Sequence, residues 1–353
     1  LYGFGDYQSI NYHIEQRDGK GVLVVAATEK SNGPGYLTFG LNFSSDFKGD
    51  NLLGLRATYR RTWVNSLGAE WFATAQIGNV LDLYTEFYQP LRIDRAWFVA
   101  PYAGIGRAPL NVFRDGDRIA RYDLTRATAG IDLGATLGTD AEVRVGVSGG
   151  YASVKLDTGD PGLPQDEENE SGLRAAFRYD TLDSAFVPRK GNRLTLDLFS
   201  PQPALGAANS YNRLEGNWVG AWSLGNHTLV GRARLGGAAG GDLPYYDEFA
   251  MGGLFDLPGY ATGELRAGRI AYGGLAYFHR LTTLKPPIGR GVYAGFSIEG
   301  ADLQDSFLDL TPSGTRFGSS VFLGADTWLG PAYFGVGING DGDAAAYLQL
   351  GKP

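Results

Sequence analysis

From Gly35 onward the chain alternates between apolar and polar positions. Leu53, Leu55, Ala57, Tyr59 and Trp63 share one face of an extended segment, and Arg56, Thr58, Arg60 and Thr62 share the other. Trp71, Ala75 and Ile77 oppose Glu70, Thr74 and Gln76 in the next segment; further on, Leu194, Leu196 and Leu198 oppose Arg193, Thr195 and Asp197. A period of two is the signature of a β-strand with two chemically distinct faces. Sixteen such runs are predicted, at 35–44, 51–63, 68–78, 81–89, 96–107, 118–136, 140–156, 171–181, 191–200, 209–223, 226–236, 267–281, 290–300, 315–328, 331–339 and 343–351. An even number of antiparallel strands is what a closed bacterial barrel requires.

The connections between the runs alternate in length. Gly138-Thr139-Asp140, Leu224-Gly225 and Gly330 are tight turns, whereas the links on the other side include the long 108–117, the acidic 157–170, the stretch Phe249 to Arg266 and 301–314 beside the terse 45–50 and Gly340-Asp341-Gly342. Transmembrane barrels combine short periplasmic turns with long external loops. This pattern predicts an all-β transmembrane antiparallel barrel of 16 strands in the bacterial outer membrane, with both barrel termini periplasmic. The sixth external loop is then FAMGGLFDLPGYATGELR, glycine-clustered and without helical periodicity. A structureless loop of this length in a compact fold is usually functional.

Composition agrees with that picture. The 353 residues include 53 Gly, 20 Tyr, 19 Phe and 6 Trp with only 20% charged residues, as in a many-stranded protein rich in turns and aromatics. No apolar run approaches the roughly 18 residues of a spanning helix, and the mean hydropathy is −0.17, as expected when apolar surface occupies every second residue. A net charge of −7 argues against a nucleic-acid partner. There is no Cys, and His13, His227 and His279 stand far apart without ligand spacing, so neither a metal nor any other cofactor is expected. The chain starts at Leu1 and its only Met is Met251, which reads as a processed or excised piece.

Ahead of the barrel, YQSINYHIEQ and GVLVVAATEK read as a hairpin joined by Arg17-Asp18-Gly19-Lys20, with Asp-Gly supplying the left-handed turn. With Gly5-Asp6-Tyr7 before it and Glu29-Lys30 after it, the segment resembles the close of a POTRA module, the periplasmic domain of the outer-membrane insertase and two-partner-secretion transporter superfamily. The expected domains are therefore 1–33, the C-terminal part of a POTRA domain, and 34–353, the barrel.

The long loop sharpens the resemblance. In that superfamily the sixth external loop folds back into the lumen with a Val-Arg-Gly-Tyr or Val-Arg-Gly-Phe tip; this chain has Leu257-Pro258-Gly259-Tyr260, preceded by Met251-Gly252-Gly253. The turn carrying Asp183, Pro188 and Gly191 resembles the family's Asp…Pro-x-x-Gly periplasmic turn. Glu299 stands where the family keeps an inward acid that pairs with the loop arginine, on the face opposite Val292, Ala294, Phe296 and Ile298. Because Pro258 replaces that arginine, Glu299 needs another partner, for which Arg266, Arg269, Arg232 and Arg234 are candidates.

A single POTRA followed by GPGYLTFGLNF, with LPGY for VRGY, is similar to the patatin-like autotransporters of type Vd secretion. The resemblance implies an outer-membrane anchor and translocator that exports or displays its own N-terminal passenger, a lipase or phospholipase lying outside this chain. Partners implied are outer-membrane lipid, the passenger, the outer-membrane assembly machinery and a possible homodimer. The alternative is an outer-membrane protein insertase or two-partner-secretion transporter acting on other polypeptides. A passive porin is disfavoured by the plug-like loop.

The chain itself is expected to be no enzyme. Gly146-Val147-Ser148-Gly149-Gly150 fits G-x-S-x-G, but that motif needs a strand, a sharp turn and a helix, and here it lies within an alternating strand. The acidic run 157–170 reads as a solvated loop rather than a cation site. Strand sixteen offers small residues and follows Gly335, Gly337, Gly340 and Gly342, so its closure on strand one, chiefly through Ala344 to Leu350, is expected to be the weakest pairing. Thr38 and Tyr347 are expected near that seam. The family ends its last strand in an aromatic residue, in contrast to Gly351-Lys352-Pro353 here.

Overall fold

The computed structural model describes residues 7–17, 19–29, 35–48, 51–285, 288–307 and 310–351. Leu1, Gly5-Asp6, Asp18, Lys30, Gly33-Pro34 and Lys352-Pro353, which entered the sequence reading, lie outside these, as does the expected domain boundary at 33/34.

Strands β1 (Tyr7–Arg17) and β2 (Lys20–Glu29) form an antiparallel hairpin closed at Arg17 and Lys20, with Gly19 at φ 73°. The barrel follows: β3 (Gly35–Ser45), β4 (Asn51–Arg61), β5 (Glu70–Gly78), β6 (Leu81–Pro90), β7 (Trp97–Arg114), β8 (Asp117–Leu137), β9 (Ala141–Thr158), β10 (Asp166–Asn169), β11 (Gly172–Asp180), β12 (Gly191–Pro201), β13 (Asn212–Leu224) and β14 (His227–Ala239). The long loop then contributes a small hairpin, β15 (Phe249–Met251) and β16 (Leu265–Ala267). The barrel resumes with β17 (Arg269–Thr282), β18 (Gly289–Gln304), β19 (Gly314–Thr327), β20 (Gly330–Asn339) and β21 (Ala344–Leu350), which closes on β3.

β10 and β11 share one register against β9, Asn169 facing Tyr151 and Gly172 facing Ser148, so together they make a single stave. The result is a closed barrel of 16 strands. No described helix is long and apolar enough to cross a membrane, and the strands divide their faces as the alternation requires. Phe39, Leu235 and Val321 are exposed on the outside, while Asp132, Ser297 and Glu299 are buried inside. The apolar surface faces outward, the reverse of a soluble sandwich and the arrangement a lipid solvent selects.

One predicted loop proved to be strand. Segment 108–117 is the paired extension of β7 and β8, turned by Asp115 at φ 53° and Gly116 at φ 83°. Positive φ at both central residues is a type I′ hairpin turn, for which Asp-Gly is a preferred sequence. The extension hid itself because its polarity inverts. Leu110, Val112, Ala120, Tyr122, Ala152 and Val154 point inward, where Tyr245 and Tyr246 of the long loop pack on them, whereas Arg107 and Asp123 pair on the outer face. The acidic segment 157–170 is likewise partly strand, and its three glutamates are engaged. Glu167 meets Lys155 at 3.0 Å, Glu168 accepts from Tyr246 at 3.0 Å, and Glu170 meets Arg126 at 2.9 Å.

The seam is short. Among the described residues β21 meets β3 only through Leu348–Ser45, Gln349–Ser44 and Leu350–Phe43, whereas β3 and β4 pair from Gly35–Arg61 to Ser45–Asn51. The pairing expected along Ala344 to Leu350 is thus confined to its last residues. Thr38 is not across from Tyr347, because an antiparallel register in which Leu348 faces Ser45 carries Thr38 past the end of β21.

Candidate functional site

The stretch between β14 and β17 runs back inside the barrel. Met251, Leu254, Leu257, Tyr260 and Ala261 are all buried there. Glycine makes the fold of the loop possible at two points. Gly252, at φ 127°, has no room for a Cβ, which would lie 2.0 Å from the Ala261 carbonyl oxygen; at Gly259, φ 99°, a Cβ would lie 2.2 Å from the Asn339 nitrogen. Leu257 holds φ 77° without being glycine, a conformation that persists only where surrounding contacts enforce it.

Those contacts begin at Glu299 on β18. Its Oε2 accepts the Leu257 backbone N–H at 2.8 Å and lies 2.9 Å from the Tyr272 hydroxyl, while Oε1 accepts from the Ser297 hydroxyl at 2.7 Å. Ser320 supports Ser297 at 2.8 Å. None of the four candidate arginines forms an ion pair with Glu299. Arg266 donates to the Tyr245 carbonyl, Arg269 pairs with Asp305, Arg234 pairs with Glu215, and Arg232 stacks on the Phe255 ring at 4.7 Å. With proline in place of arginine, the buried carboxylate is satisfied by neutral donors, the loop's own backbone among them.

Beyond Leu257, Pro258 presses on the wall where β19 and β20 carry Gly318 and Gly337. A Cβ at Gly318 would fall 2.3 Å from the Pro258 oxygen, and one at Gly337 would fall 2.5 Å from the Pro258 Cβ. Tyr347 of β21 accepts the Gly259 N–H at 2.8 Å and donates to the Tyr260 carbonyl at 2.7 Å. From the other side of the seam, Lys48 reaches the Gly259 carbonyl at 3.3 Å and Asp46 accepts the Thr262 N–H at 3.0 Å. Leu257-Pro258-Gly259-Tyr260 therefore bridges the short β3–β21 closure from within. Phe255 anchors the same loop in an aromatic box, 5.0 Å from Phe322 and 5.1 Å from Tyr333, edge-on to each.

The opposite wall is charged. Arg144 meets Glu86 at 2.9 Å and Glu142 at 2.8 Å, and Arg174 lies 3.6 Å from Asp132. Two polar cavities follow this wall, about 360 Å³ beside Arg60, Glu70 and Arg95 and about 380 Å³ beside Arg126, Ser148 and Arg213. Ser148 sits in mid-strand opposite Gly130 and Gly172, and the chain's histidines lie elsewhere, on β1, β14 and β17. No serine–histidine arrangement is present among the described residues, nor any group of three side chains placed to hold a metal.

At the tight-turn end, Asp183 Oδ1 accepts the Arg189 and Lys190 N–H groups at 2.8 and 3.2 Å. Pro188 is buried, and Gly191 takes φ 100° where a Cβ would meet the Thr181 oxygen at 2.1 Å. Sequence reasoning missed Tyr272, Ser297, Asp46 and Lys48, and it placed Tyr347 near the seam without its bonds to the loop. It read Gly337 as a weakness of the strand, whereas in the fold that glycine is the seat of the loop tip.

Comparison with known proteins gives a family and a fold. The Omp85 superfamily domain matches residues 82–293, more than half of the 353 residues. BamA from Haemophilus ducreyi lacking POTRA domains 1–3 is similar in structure, with a TM-score of 0.73 at 13% identity over 99% of this chain and 76% of that one. CdiB from Escherichia coli has a TM-score of 0.65 at 15% identity over 98% and 68%. CdiB from Acinetobacter baumannii has a TM-score of 0.64 at 10% identity over 98% and 66%. At such identities the likeness is one of fold.

Proposed function

The chain belongs to the Omp85 superfamily and is an outer-membrane β-barrel protein, and on that footing we propose that it is the anchor and translocator of a patatin-like autotransporter of type Vd secretion. It exports or displays its own N-terminal passenger, a lipase or phospholipase outside this chain. In this reading the end with tight turns faces the periplasm, where the β1–β2 hairpin closes a POTRA domain, and the long loops face outward. In this reading the chain itself is not catalytic: its only G-x-S-x-G serine, Ser148, lies in mid-strand and not at a strand-to-helix turn.

The observation that carries the reading is the clasp. A barrel that only holds itself in lipid gains nothing from a three-residue closure bridged by a loop that springs from between β14 and β17. A translocator needs a lumen that is sealed at rest and a seal that can be released. Here the seal rests on hydrogen bonds between one short segment and Tyr347, Asp46, Lys48 and Glu299, each worth about 1–3 kcal/mol net, so it can be released without unfolding a strand. LPGY in place of an arginine tip supports the autotransporter branch over its siblings. The fold likeness to CdiB and BamA supports a second reading, transport of a separate polypeptide.

In cells making the complete gene product, the passenger should be protease-accessible at the surface, and removal of residues 34–353 should retain it in the periplasm. Surface exposure without the barrel sinks the proposal; export of a passenger expressed as a separate chain favours the second reading. The purified barrel should not turn over a p-nitrophenyl ester, and turnover abolished by Ser148→Ala would overturn the non-catalytic assignment.

A further inference from the structure

His227 and His279 are separated in sequence by the whole lumen loop, yet β14 and β17 place them directly opposite each other. Both lie on the outward face, in line with exposed Leu229 and Leu275, at the end of the barrel that carries the Leu224-Gly225 turn. Their ring centroids are 4.9 Å apart with planes inclined at 44°. His227 Nδ1 is 2.6 Å from the Tyr277 hydroxyl. That bond occupies Nδ1 and leaves Nε2 as the nitrogen to bind an ion, the role a supporting partner plays at a metal-binding histidine.

The spacing suits one metal ion between two imidazoles. A metal–nitrogen bond of about 2.0–2.1 Å puts the ion about 3.2 Å from each ring centroid. With a nitrogen of each ring aimed at the ion, a centroid separation of 4.9 Å corresponds to a nitrogen–metal–nitrogen angle of about 100°, between the square-planar and tetrahedral values. Antiparallel register holds both side chains without a loop to order. The residues facing the pair across the ladder, Leu224 and Ala294, offer no oxygen ligand, which disfavours Mg²⁺ and Ca²⁺. Two neutral nitrogens favour Cu²⁺ first and Zn²⁺ after it.

We propose that His227 and His279 form a surface transition-metal site, taking Cu²⁺ or Zn²⁺ with its remaining positions open to water. The ion ties β14 to β17, the two strands between whose other ends the lumen loop is suspended. The competing reading is that both histidines are ordinary members of an interfacial aromatic belt with Tyr277 and Trp222.

The test uses the purified chain in detergent micelles, with the folded gel band verified for each variant before titration. Cu²⁺ should bind one per chain, with an electron paramagnetic resonance spectrum showing two equatorial nitrogens. His227→Ala and His279→Ala should each weaken binding at least tenfold and remove the two-nitrogen pattern, while His13→Ala leaves both unchanged. His279→Gln serves where the alanine variant does not fold. Zn²⁺ should raise the temperature at which the wild-type folded band is lost and leave both single variants unmoved. Weakening of less than tenfold, a two-nitrogen pattern that survives in either variant, or loss of binding in His13→Ala would overturn the site.

Discussion

Gly337→Ala tests whether the loop tip is seated by the wall. The new methyl carbon would stand 2.5 Å from the Pro258 Cβ and 2.9 Å from the Gly259 nitrogen, more than an ångström inside the usual carbon–carbon contact of roughly 3.5–4.0 Å. Gly337 faces the lumen in a regular strand with ordinary backbone angles, so the substitution strains the contact and not the strand. Overpacking of this kind costs about 1–3 kcal/mol. The loop relieves it by moving away, but that breaks the Gly259–Tyr347 and Leu257–Glu299 bonds, at about 1 kcal/mol each and more for the carboxylate left buried. The two costs are alternatives, so the penalty is about 1–3 kcal/mol, comparable to the few bonds that seat the tip. Planar-bilayer conductance should rise, and the folded gel band should be lost at a lower temperature. Gly273→Ala is the control, since a Cβ there meets nothing within 4 Å. If Gly337→Ala matches Gly273→Ala in both measurements, the loop does not depend on that seat.

Glu248, in the loop before β15, has its carboxyl pushed up to about 7 by burial, against a bond from the Phe307 N–H and the charge of Arg266. A raised carboxyl binds its proton more tightly when folded, so its contribution is complete below about pH 4.5 and lost as pH rises through 7, on the order of 1–3 kcal/mol. Heat resistance should fall from pH 5 to pH 8 in the wild type, and by less in Glu248→Gln; equal falls would count against this origin. For orientation, single cysteines at Gly162 and Ser313 should react with an impermeant maleimide on whole cells while Thr139→Cys does not, and the opposite pattern would invert the assignment. At the seam, Ser44→Cys with Gln349→Cys should cross-link, because the register places those residues opposite each other. If the locked barrel displays its passenger normally, the seam is only a closure and takes no part in export.

The alternation of apolar and polar residues determined the strands by itself, because in a barrel every stave meets lipid on one face and a polar lumen on the other. Leu53 and Leu55 against Arg56, or Val143 and Val145 against Arg144, carry that signal locally and need no knowledge of neighbours. The pattern misled where the environment changed. In the long extension of β7 and β8, Leu110, Val112 and Tyr122 turn their apolar side inward against the loops, and the same period of two then reads as irregular. The long loop was legible from its glycines and Pro258, and the inward acid from the parity of Glu299.

What the loop touches was decided only in three dimensions. Tyr347, Asp46 and Lys48 come from opposite ends of the chain and meet at Gly259 and Thr262 because closure brings the first and last staves together. The same cause sets the partner of Glu299. Arginines were the natural candidates by charge, but the wall holds each of them on another acceptor or ring, and the carboxylate instead takes the backbone of Leu257. Hydrophobic period is a property of neighbouring residues, whereas register and shear are properties of the closed sheet. They alone place His279 beside His227 and leave Thr38 away from Tyr347.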